Sequence, residues 1–258
     1  MKKINLLLII AAIVGLSCPE VFAKAKSTGF KNKGDLQKDI EESKTAMFVC
    51  PHPDDEVFIA GTIAFSEKDK DNIFYVLCVG SLDNVRKESI DVPSRIKAIR
   101  WLDKTYLKDY IFLDNIFTKI EPKMAQEIKK QVAYMIEERK PDIIITFSPA
   151  GYDGNHNRKM ISKIVTDACL LLSYRPKVYY VINMDQELQF KAREYRKHPP
   201  TDIIDLNVDS KRLGKSVWEA KLEIWSHYSD SVPAIMGIMA RTERLEKNDR
   251  KEYFMRAR

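Results

Sequence analysis

The stretch of sequence that decides the fold is Met-Phe-Val-Cys-Pro-His-Pro-Asp-Asp-Glu-Val-Phe-Ile-Ala, residues 47–60. Residues 47–50 are typical of a buried β-strand, and the apolar residues 57–60 indicate the start of a helix. His52, Asp54 and Asp55 therefore lie where a strand passes into a helix, which is where the loops of α/β sheets collect their ligands. This order predicts a functional loop at the end of a strand.

The first loop has the composition of half a zinc site. His52 and Asp55 are three residues apart, so both can face one side of a first helical turn while Asp54 points elsewhere. Zinc accepts imidazole nitrogen and carboxylate oxygen, and a catalytic zinc typically has three protein ligands. The alternative is that Asp54 and Asp55 only cap the helix. Capping explains neither His52 nor the prolines on either side of it, so the pattern favours a metal site with one free carboxylate.

A second loop supplies the candidate third ligand. Residues 147–156, Phe-Ser-Pro-Ala-Gly-Tyr-Asp-Gly-Asn-His, follow the β-branched run 142–146 and precede a helical stretch that starts near Asn157. This loop has the same strand-end placement as the first one. The chain has four histidines, and two of them fall in such loops. We therefore favour His156 as a ligand over the alternative of an ordinary surface histidine.

Both loops resemble those of the PIG-L or LmbE-like family, zinc-dependent deacetylases of N-acetylglucosaminyl substrates. The first family motif, Ala-His-Pro-Asp-Asp-Glu, is matched by residues 51–56 with Pro51 in the leading position. The second motif, His-x-x-His, is matched by Asp153-Gly154-Asn155-His156, in which Asp153 replaces the upstream histidine. The resemblance extends over residues 45–230 and is specific at these two loops.

The resemblance implies that His52, Asp55 and His156 bind Zn²⁺ and that Asp54 is the general base. The family's upstream histidine is thought to stabilise the oxyanion or to protonate the departing amine. Asp153 near a dication would be ionised and could do neither. Taken as a whole, the resemblance implies a zinc-dependent N-deacetylase acting on an N-acetylglucosamine-type sugar or glycoconjugate. The alternatives are a metal-retaining carbohydrate-binding protein with decayed catalysis and a zinc amidase acting on a different amide.

The sequence identifies substrate-binding residues less specifically than it identifies the metal ligands. The family places a substrate-binding arginine near a helix start, and Arg95 or Arg86 could take that position. Asp153 and Tyr152 lie in the second loop. Residues 220–229 resemble the family's late Lys…His-x-Ser segment, and this resemblance makes His227 a candidate substrate-binding residue. The alternative for His227 is a structural residue at the end of a helix.

The N-terminus indicates export. Residues 1–23 contain two lysines, an apolar run and a small-residue end, the three parts of a secretory signal peptide. We expect cleavage after Ala23 and a periplasmic or secreted product. A lipoprotein attached through Cys18 and an uncleaved anchor are the alternatives. The apolar run is too short for a confident membrane span, and no other stretch looks transmembrane.

Composition and periodicity set the architecture. The net charge of +6 is spread over 43 basic and 37 acidic residues, which does not indicate a nucleic-acid partner. No pattern indicates an oligomeric state. We expect a polar arm at residues 24–44 and one deacetylase domain at residues 45–258. Strand candidates alternate with helical stretches and lie at residues 46–50, 73–79, 110–113, 143–146 and 178–182. This alternation predicts an α/β, Rossmann-like, mainly parallel sheet with helices on both faces in a single domain.

Overall fold

A computed structural model describes residues 35–67, 73–82, 92–182, 200–228 and 250–257. The strands are β1 (Thr45–Cys50), β2 (Ile73–Gly80), β3 (Asp109–Asn115), β4 (Ile143–Phe147), β5 (Lys177–Ile182), β6 (Asp202–Asp205), β7 (Asp209–Ser210), β8 (Lys215–Ser216) and β9 (Lys251–Arg256). The helices are α1 (Leu36–Glu42), α2 (Ala60–Ser66), α3 (Val92–Tyr106), α4 (Pro122–Arg139), α5 (His156–Cys169) and α6 (Val217–Tyr228). A 3₁₀ turn, Asp55–Ile59, precedes α2, and one helical turn, Gly151–Gly154, precedes α5.

The main sheet has seven strands in the order β3-β2-β1-β4-β5-β9-β6. The first five strands of this order pair in parallel, and β9 pairs antiparallel with both β5 and β6. Strands β7 and β8 form a separate two-stranded ribbon. The predicted mainly parallel sheet is confirmed, and each of the five predicted strands overlaps one of β1 to β5. The antiparallel edge formed by β9 and β6 was not predicted.

Both faces of the sheet are covered by helices, as predicted. Along β1, Phe48 and Cys50 belong to one apolar core and Met47 and Val49 to the other, because successive side chains of a strand point to opposite faces. Helices α2, α3 and α6 contribute buried residues to the first core, and α4 and α5 contribute to the second. The described residues all belong to one compact unit, residues 32–258.

The strand order reverses at β1, and this reversal places the two candidate loops together. The chain runs from β1 to β2 and β3 on one side, and β4 then pairs on the other side of β1, with Phe48 opposite Ile145. The hydroxyl of Thr146 donates a hydrogen bond to the carbonyl oxygen of Val49 at 2.9 Å. In parallel sheets, ligands bind outside the carboxyl ends of the strands at such a reversal.

The end of the predicted polar arm is packed. Within residues 24–44, helix α1 buries Leu36 and Ile40, and the backbone N–H of Leu36 donates to Asp202 at 3.0 Å. The predicted signal peptide, with Cys18, and the alternative arginine Arg86 lie outside the described residues. Across the described ranges, the search for membrane-crossing helices finds none of sufficient length and apolarity. Cys50, Cys78 and Cys169 are buried free thiols.

Candidate active site

The first loop is fixed by a buried glutamate. Asp54 has φ 92° and ψ −8°, a left-handed conformation that non-glycine residues rarely adopt. The carboxylate of Glu56 accepts the backbone N–H of Asp54 at 3.0 Å and the hydroxyl of Tyr110 at 2.9 Å. Its other oxygen accepts the hydroxyl of Tyr228. Three donors from three parts of the chain therefore hold Glu56, and Glu56 in turn holds the backbone of Asp54.

Glu56 is buried without a cationic partner among its hydrogen-bond donors. Burial raises its pKa to about 7, although the hydrogen bonds from Tyr228, the backbone and Tyr110 oppose this shift. A carboxyl group in such a place contributes to the shape of the loop and has no exposed surface with which to meet a substrate. We therefore assign Glu56 to the support of Asp54.

Asp54 faces an arginine from another helix. Its Oδ2 lies 2.9 Å from Nη2 of Arg95 on α3, and its side chain is 16% exposed. Burial raises the pKa of Asp54 well above its ordinary value; Arg95 opposes this shift, and the neighbouring charges of Asp55 and Glu56 add to it. The structure thus brings two predicted site residues, Asp54 and Arg95, into direct contact.

Asp55 points inward and is fully buried. Its Oδ2 accepts the backbone N–H of His52 at 3.0 Å and lies 3.3 Å from Nδ1 of the same residue. Its Oδ1 accepts two hydrogen bonds from Arg158, at 3.0 Å from Nε and 2.7 Å from Nη2. Burial would raise the pKa of Asp55, but the positive charge of Arg158 and the contacts with His52 outweigh it and lower this pKa to about 2. Asp54 and Asp55 are adjacent in sequence and have opposite pKa shifts.

The second ring nitrogen of His52 is hydrogen-bonded to Asn157. The amide oxygen of Asn157 accepts the N–H of Ile120 at 2.9 Å, which identifies its other terminal atom as the NH₂ group. This NH₂ group donates to the carbonyl of Thr118 and lies 3.0 Å from Nε2 of His52. Nε2 is therefore the acceptor, and the ring proton resides on Nδ1 and faces Asp55.

His156 begins helix α5 and is exposed. Its Nε2 lies 3.2 Å from the carbonyl oxygen of Ile120, the residue whose N–H binds Asn157. Among the described residues, no three His, Cys, Asp or Glu side chains are grouped so that they could hold a metal ion. The donor chemistry of His52, Asp55 and His156 fits zinc, but in this arrangement Asp55 is bound to Arg158 and His52 to Asn157.

The second loop is organised around Arg158. Nη1 of Arg158 donates to Oδ2 of Asp153 at 2.7 Å, and Oδ1 of Asp153 accepts the N–H of Asn155 at 3.0 Å. Tyr152 has φ 64°, and its ring centroid lies 4.5 Å from that of Phe58. The guanidinium of Arg158 also lies 4.6 Å from the ring of Phe58, so the loop combines a shared cation with aromatic faces.

His227 lies in α6 and stacks on Trp101 of α3, with ring centroids 3.7 Å apart and an interplanar angle of 20°. No described contact joins His227 to the residues of the two loops. Its neighbour Tyr228 reaches the site through Glu56. A role for His227 in substrate binding therefore stays a prediction.

Sequence reasoning missed Glu56, Asn157 and Arg158. All three lie within or directly after the two motifs, so their position was a signal. Glu56 was passed over because its partners, Tyr110 and Tyr228, are 54 and 172 residues away. Arg158 was passed over because an arginine in the first turn of a helix is usually a solvated residue.

The comparison with protein families matches the part of the chain that contains both loops. Residues 47–169 match the family model PIG-L, described as GlcNAc-PI de-N-acetylase. No curated protein sequence is significantly similar to the chain. These matched residues include both loops, α3 with Arg95, and Arg158.

Several solved structures share the fold. The N,N′-diacetylchitobiose deacetylase from Pyrococcus horikoshii has a TM-score of 0.61 and 18% identity, covering 92% of each chain. The zinc-inhibited form of teicoplanin deacetylase has a TM-score of 0.56 and 14% identity, covering 83% of this chain and 98% of the other. The 4-carboxy-2-hydroxymuconate hydratase from Pseudomonas putida KT2440 has a TM-score of 0.54 and 15% identity, covering 83% and 96%. At these identities the likeness shows the fold alone.

The sequence motifs, the sheet with its reversal at β1 and the family match all refer to the same pair of loops. Residues 47–169 of this chain, which contain both loops, match the PIG-L family.

Proposed function

We propose that this protein is a hydrolase that removes the N-acetyl group from an N-acetylglucosamine-type sugar or glycoconjugate, with Asp54 as the general base. The family description, GlcNAc-PI de-N-acetylase, supports deacetylation. Two of the proteins with this fold are also deacetylases, of N,N′-diacetylchitobiose and of teicoplanin. The observation that carries the proposal is the separation of two adjacent carboxylates. Asp55 is buried among fixed donors, whereas Asp54 is partly exposed beside Arg95.

Asp54 has the properties that a general base needs. A base is most effective when its pKa approaches the working pH, and burial raises the pKa of Asp54. Its exposed fraction allows a water molecule to reach the carboxylate. Arg95 keeps the carboxylate in one orientation, and Glu56 keeps the backbone beneath it in place. Asp54 would take the proton of the water that attacks the acetamide carbonyl.

Zinc is part of this proposal, with His52, Asp55 and His156 as the residues that would hold it. When bound, zinc lowers the pKa of a coordinated water and polarises a carbonyl. For this chain to bind zinc through these residues, Asp55 must give up its hydrogen bonds from Arg158 in exchange for the metal. His52 must likewise give up its contact with Asn157.

The substrate is proposed to lie over the exposed side of the two loops, near Arg95 and Tyr152. Asp153 is ion-paired with Arg158, so it is a poor acid for the departing amine. Export belongs to the proposal as well, because residues 1–23 have the composition of a secretory signal.

The test measures acetate release and bound zinc in the same samples. Substrates are N-acetylglucosamine, N,N′-diacetylchitobiose and N-acetylglucosaminyl-phosphatidylinositol. We expect Asp54→Asn to keep its zinc and to lose roughly two to four orders of magnitude in turnover. We expect His52→Ala, Asp55→Ala and His156→Ala to lose zinc. The matched control is Asp167→Asn, which removes the charge of a partly exposed carboxylate paired with Lys163 on α5 and should leave turnover unchanged.

Two outcomes would change the proposal. If the native protein holds zinc and releases no acetate from any of the three substrates, it is a carbohydrate-binding protein or an amidase of another specificity. If Asp54→Asn loses zinc while Asp55→Ala keeps it, the roles of the two carboxylates are exchanged.

A further inference from the structure

Arg158 is the cation at the centre of the two loops, and it has two carboxylate partners. Its side chain is 12% exposed, and it binds Asp55 through Nε and Nη2 and Asp153 through Nη1. The two partners differ sharply, because the side chain of Asp55 is fully buried and that of Asp153 is 35% exposed. One guanidinium therefore bridges a buried predicted metal ligand and a partly exposed carboxylate.

The position of Arg158 conflicts with a metal ion on Asp55. Arg158 takes one oxygen of this carboxylate, and His52 takes the other. A dication that bound Asp55 would lie close to the guanidinium, and two cations at such a distance in a buried site repel each other strongly. Metal binding to Asp55 thus requires that Arg158 move away from it.

A place for the displaced guanidinium already exists. Asp153 already accepts a hydrogen bond of 2.7 Å from Nη1 of Arg158. The guanidinium also lies 4.6 Å and 5.2 Å from the ring centroids of Phe58 and Phe147, and arginine stacks favourably on aromatic faces. Only the bonds from Nε and Nη2 need to break, since the other contacts can be kept.

We propose that Arg158 is an internal cation that competes with the metal for Asp55, and that Asp153 is the carboxylate that receives Arg158 when the metal binds. The inference rests on the zinc site of the proposed function. It gives a physical reason for Asp153, which replaces the upstream histidine of the family motif. The pair Asp153–Arg158 sets the metal affinity of the site, so the two residues are positioning residues.

The test measures zinc affinity by competition with a chromogenic chelator, a readout independent of catalysis. We expect Arg158→Met to bind zinc about 10- to 100-fold more tightly than the native protein, a size typical of coupling between sites. We expect Asp153→Asn to bind it roughly 5- to 10-fold more weakly, because Arg158 then has only Asp55. In the double variant, Asp153→Asn should have no further effect on the affinity of Arg158→Met.

Two controls separate this effect from general changes in charge. Lys163→Met removes an exposed cation from the same helix and should leave zinc affinity unchanged. Arg158→Lys keeps the positive charge and should stay closer to the native affinity than Arg158→Met. If Arg158→Met does not fold, as judged by circular dichroism, the Asp153→Asn result alone decides, and an unchanged or tighter affinity overturns the inference.

The outcomes distinguish this inference from the proposed function. If Arg158→Met binds zinc no more tightly while the native protein releases acetate, the inference is wrong and the function stands. If the affinities change as expected while no acetate is released, the inference stands and the function is wrong. If no variant binds zinc, the inference and the zinc part of the function are both wrong.

Discussion

Two buried carboxylates of this protein each have a cationic partner, Glu252 with Lys221 and Asp55 with Arg158, and the two pairs are built differently. Glu252 also accepts the backbone N–H groups of Gly61 and Thr62, at 2.9 and 2.8 Å. The side chains of Lys221 and Glu252 are 8% and 5% exposed. A Cβ atom on Gly61 would lie 2.8 Å from Oε1 of Glu252, so glycine permits this close approach.

Arg158, by contrast, shares its donors between Asp55 and the partly exposed Asp153. A cation whose carboxylate is also fixed by backbone groups serves to hold the fold together. A cation divided between a buried and an exposed carboxylate can move from one to the other at low cost. The two pairs thus differ in whether the cation has a second carboxylate partner, and we expect only the Arg158 pair to exchange its partner.

The largest expected effect on stability comes from the Lys221–Glu252 pair. Lys221→Met leaves Glu252 buried without its cation, so we expect the free energy of unfolding to fall by about 3 to 5 kcal/mol. Chemical denaturation at neutral pH measures this loss, and zinc affinity should not change because Lys221 contacts neither loop. A loss below about 1 kcal/mol would mean that the pair is not more structural than an exposed one.

The Arg158–Asp55 pair should contribute less to the free energy of unfolding than the Lys221–Glu252 pair. For Arg158→Met without metal, we expect a loss of about 2 kcal/mol in the free energy of unfolding, because His52 also contacts Asp55 and the partner Asp153 is partly solvated. Saturating zinc should abolish the difference from the native protein. A loss equal to that of Lys221→Met, with and without zinc, would remove the distinction between the two pairs.

Glu56 extends the comparison to a buried carboxylate held by hydroxyl and amide donors. Glu56→Gln replaces one acceptor oxygen with an NH₂ group, which cannot accept from Asp54 or from a tyrosine hydroxyl. We expect a loss of about 1 to 2 kcal/mol in unfolding free energy, measured by denaturation, and a lower turnover because the strained backbone of Asp54 is less well held. The control is Glu127→Gln, an exposed glutamate paired with Lys130, which should behave as the native protein.

Asp39 is a buried carboxylate whose cationic partner, Lys177, is exposed to solvent. Burial opposes ionisation of Asp39, but hydrogen bonds from Lys177 and Tyr179 and the charge of Lys177 outweigh it and lower its pKa below the ordinary value of 3.8. In acid the unfolded chain therefore binds more protons at Asp39, so the stabilisation is complete above pH 3.8 and is lost as pH falls through the folded-state value.

The expected size of the Asp39 effect is below about 1 kcal/mol, because Lys177 is 46% exposed and solvent screens the pair. Denaturation curves between roughly pH 2 and 6 should show a shallower pH dependence for Lys177→Met than for the native protein. Lys163→Met should keep the native slope. An identical slope for Lys177→Met would show that this pair contributes nothing measurable.

The sequence predicts the centre of the fold well, for physical reasons. Strands β1 and β4 are buried on both faces, so their apolar runs stand out, and both loops that follow carry histidine and carboxylate side chains. Strand β9, with the sequence Lys-Glu-Tyr-Phe-Met-Arg, pairs antiparallel near the sheet edge and mixes charged with apolar residues. Its Glu252 faces the core because Lys221 compensates its charge and the N–H groups of Gly61 and Thr62 donate to it, and no local pattern contains this information.

The candidate site is predicted in its composition but not in its connections. The motifs identify His52, Asp54, Asp55 and His156, and the structure brings both loops to the same end of the sheet. That Arg158 binds Asp55 depends on a contact across 103 residues. Long-range pairing of side chains is decided by the packing of β1 against β4, and spacing within a motif cannot show it.

The reversal of strand order at β1 also has a consequence for folding. Strands β1, β2 and β3 are consecutive in the chain, whereas the bond from Thr146 to Val49 closes a segment of 97 residues. Closing a longer segment costs more chain entropy, and contacts between distant residues slow folding. A chain in which β4 has not yet joined β1 contains the complete loop of residues 51–56, with His52 bound to Asp55, but lacks the bonds from Arg158 to Asp55. Assembly of the site thus coincides with the most entropically demanding strand pairing, so mutations that delay β4 should reduce the yield of active protein before they reduce its final stability.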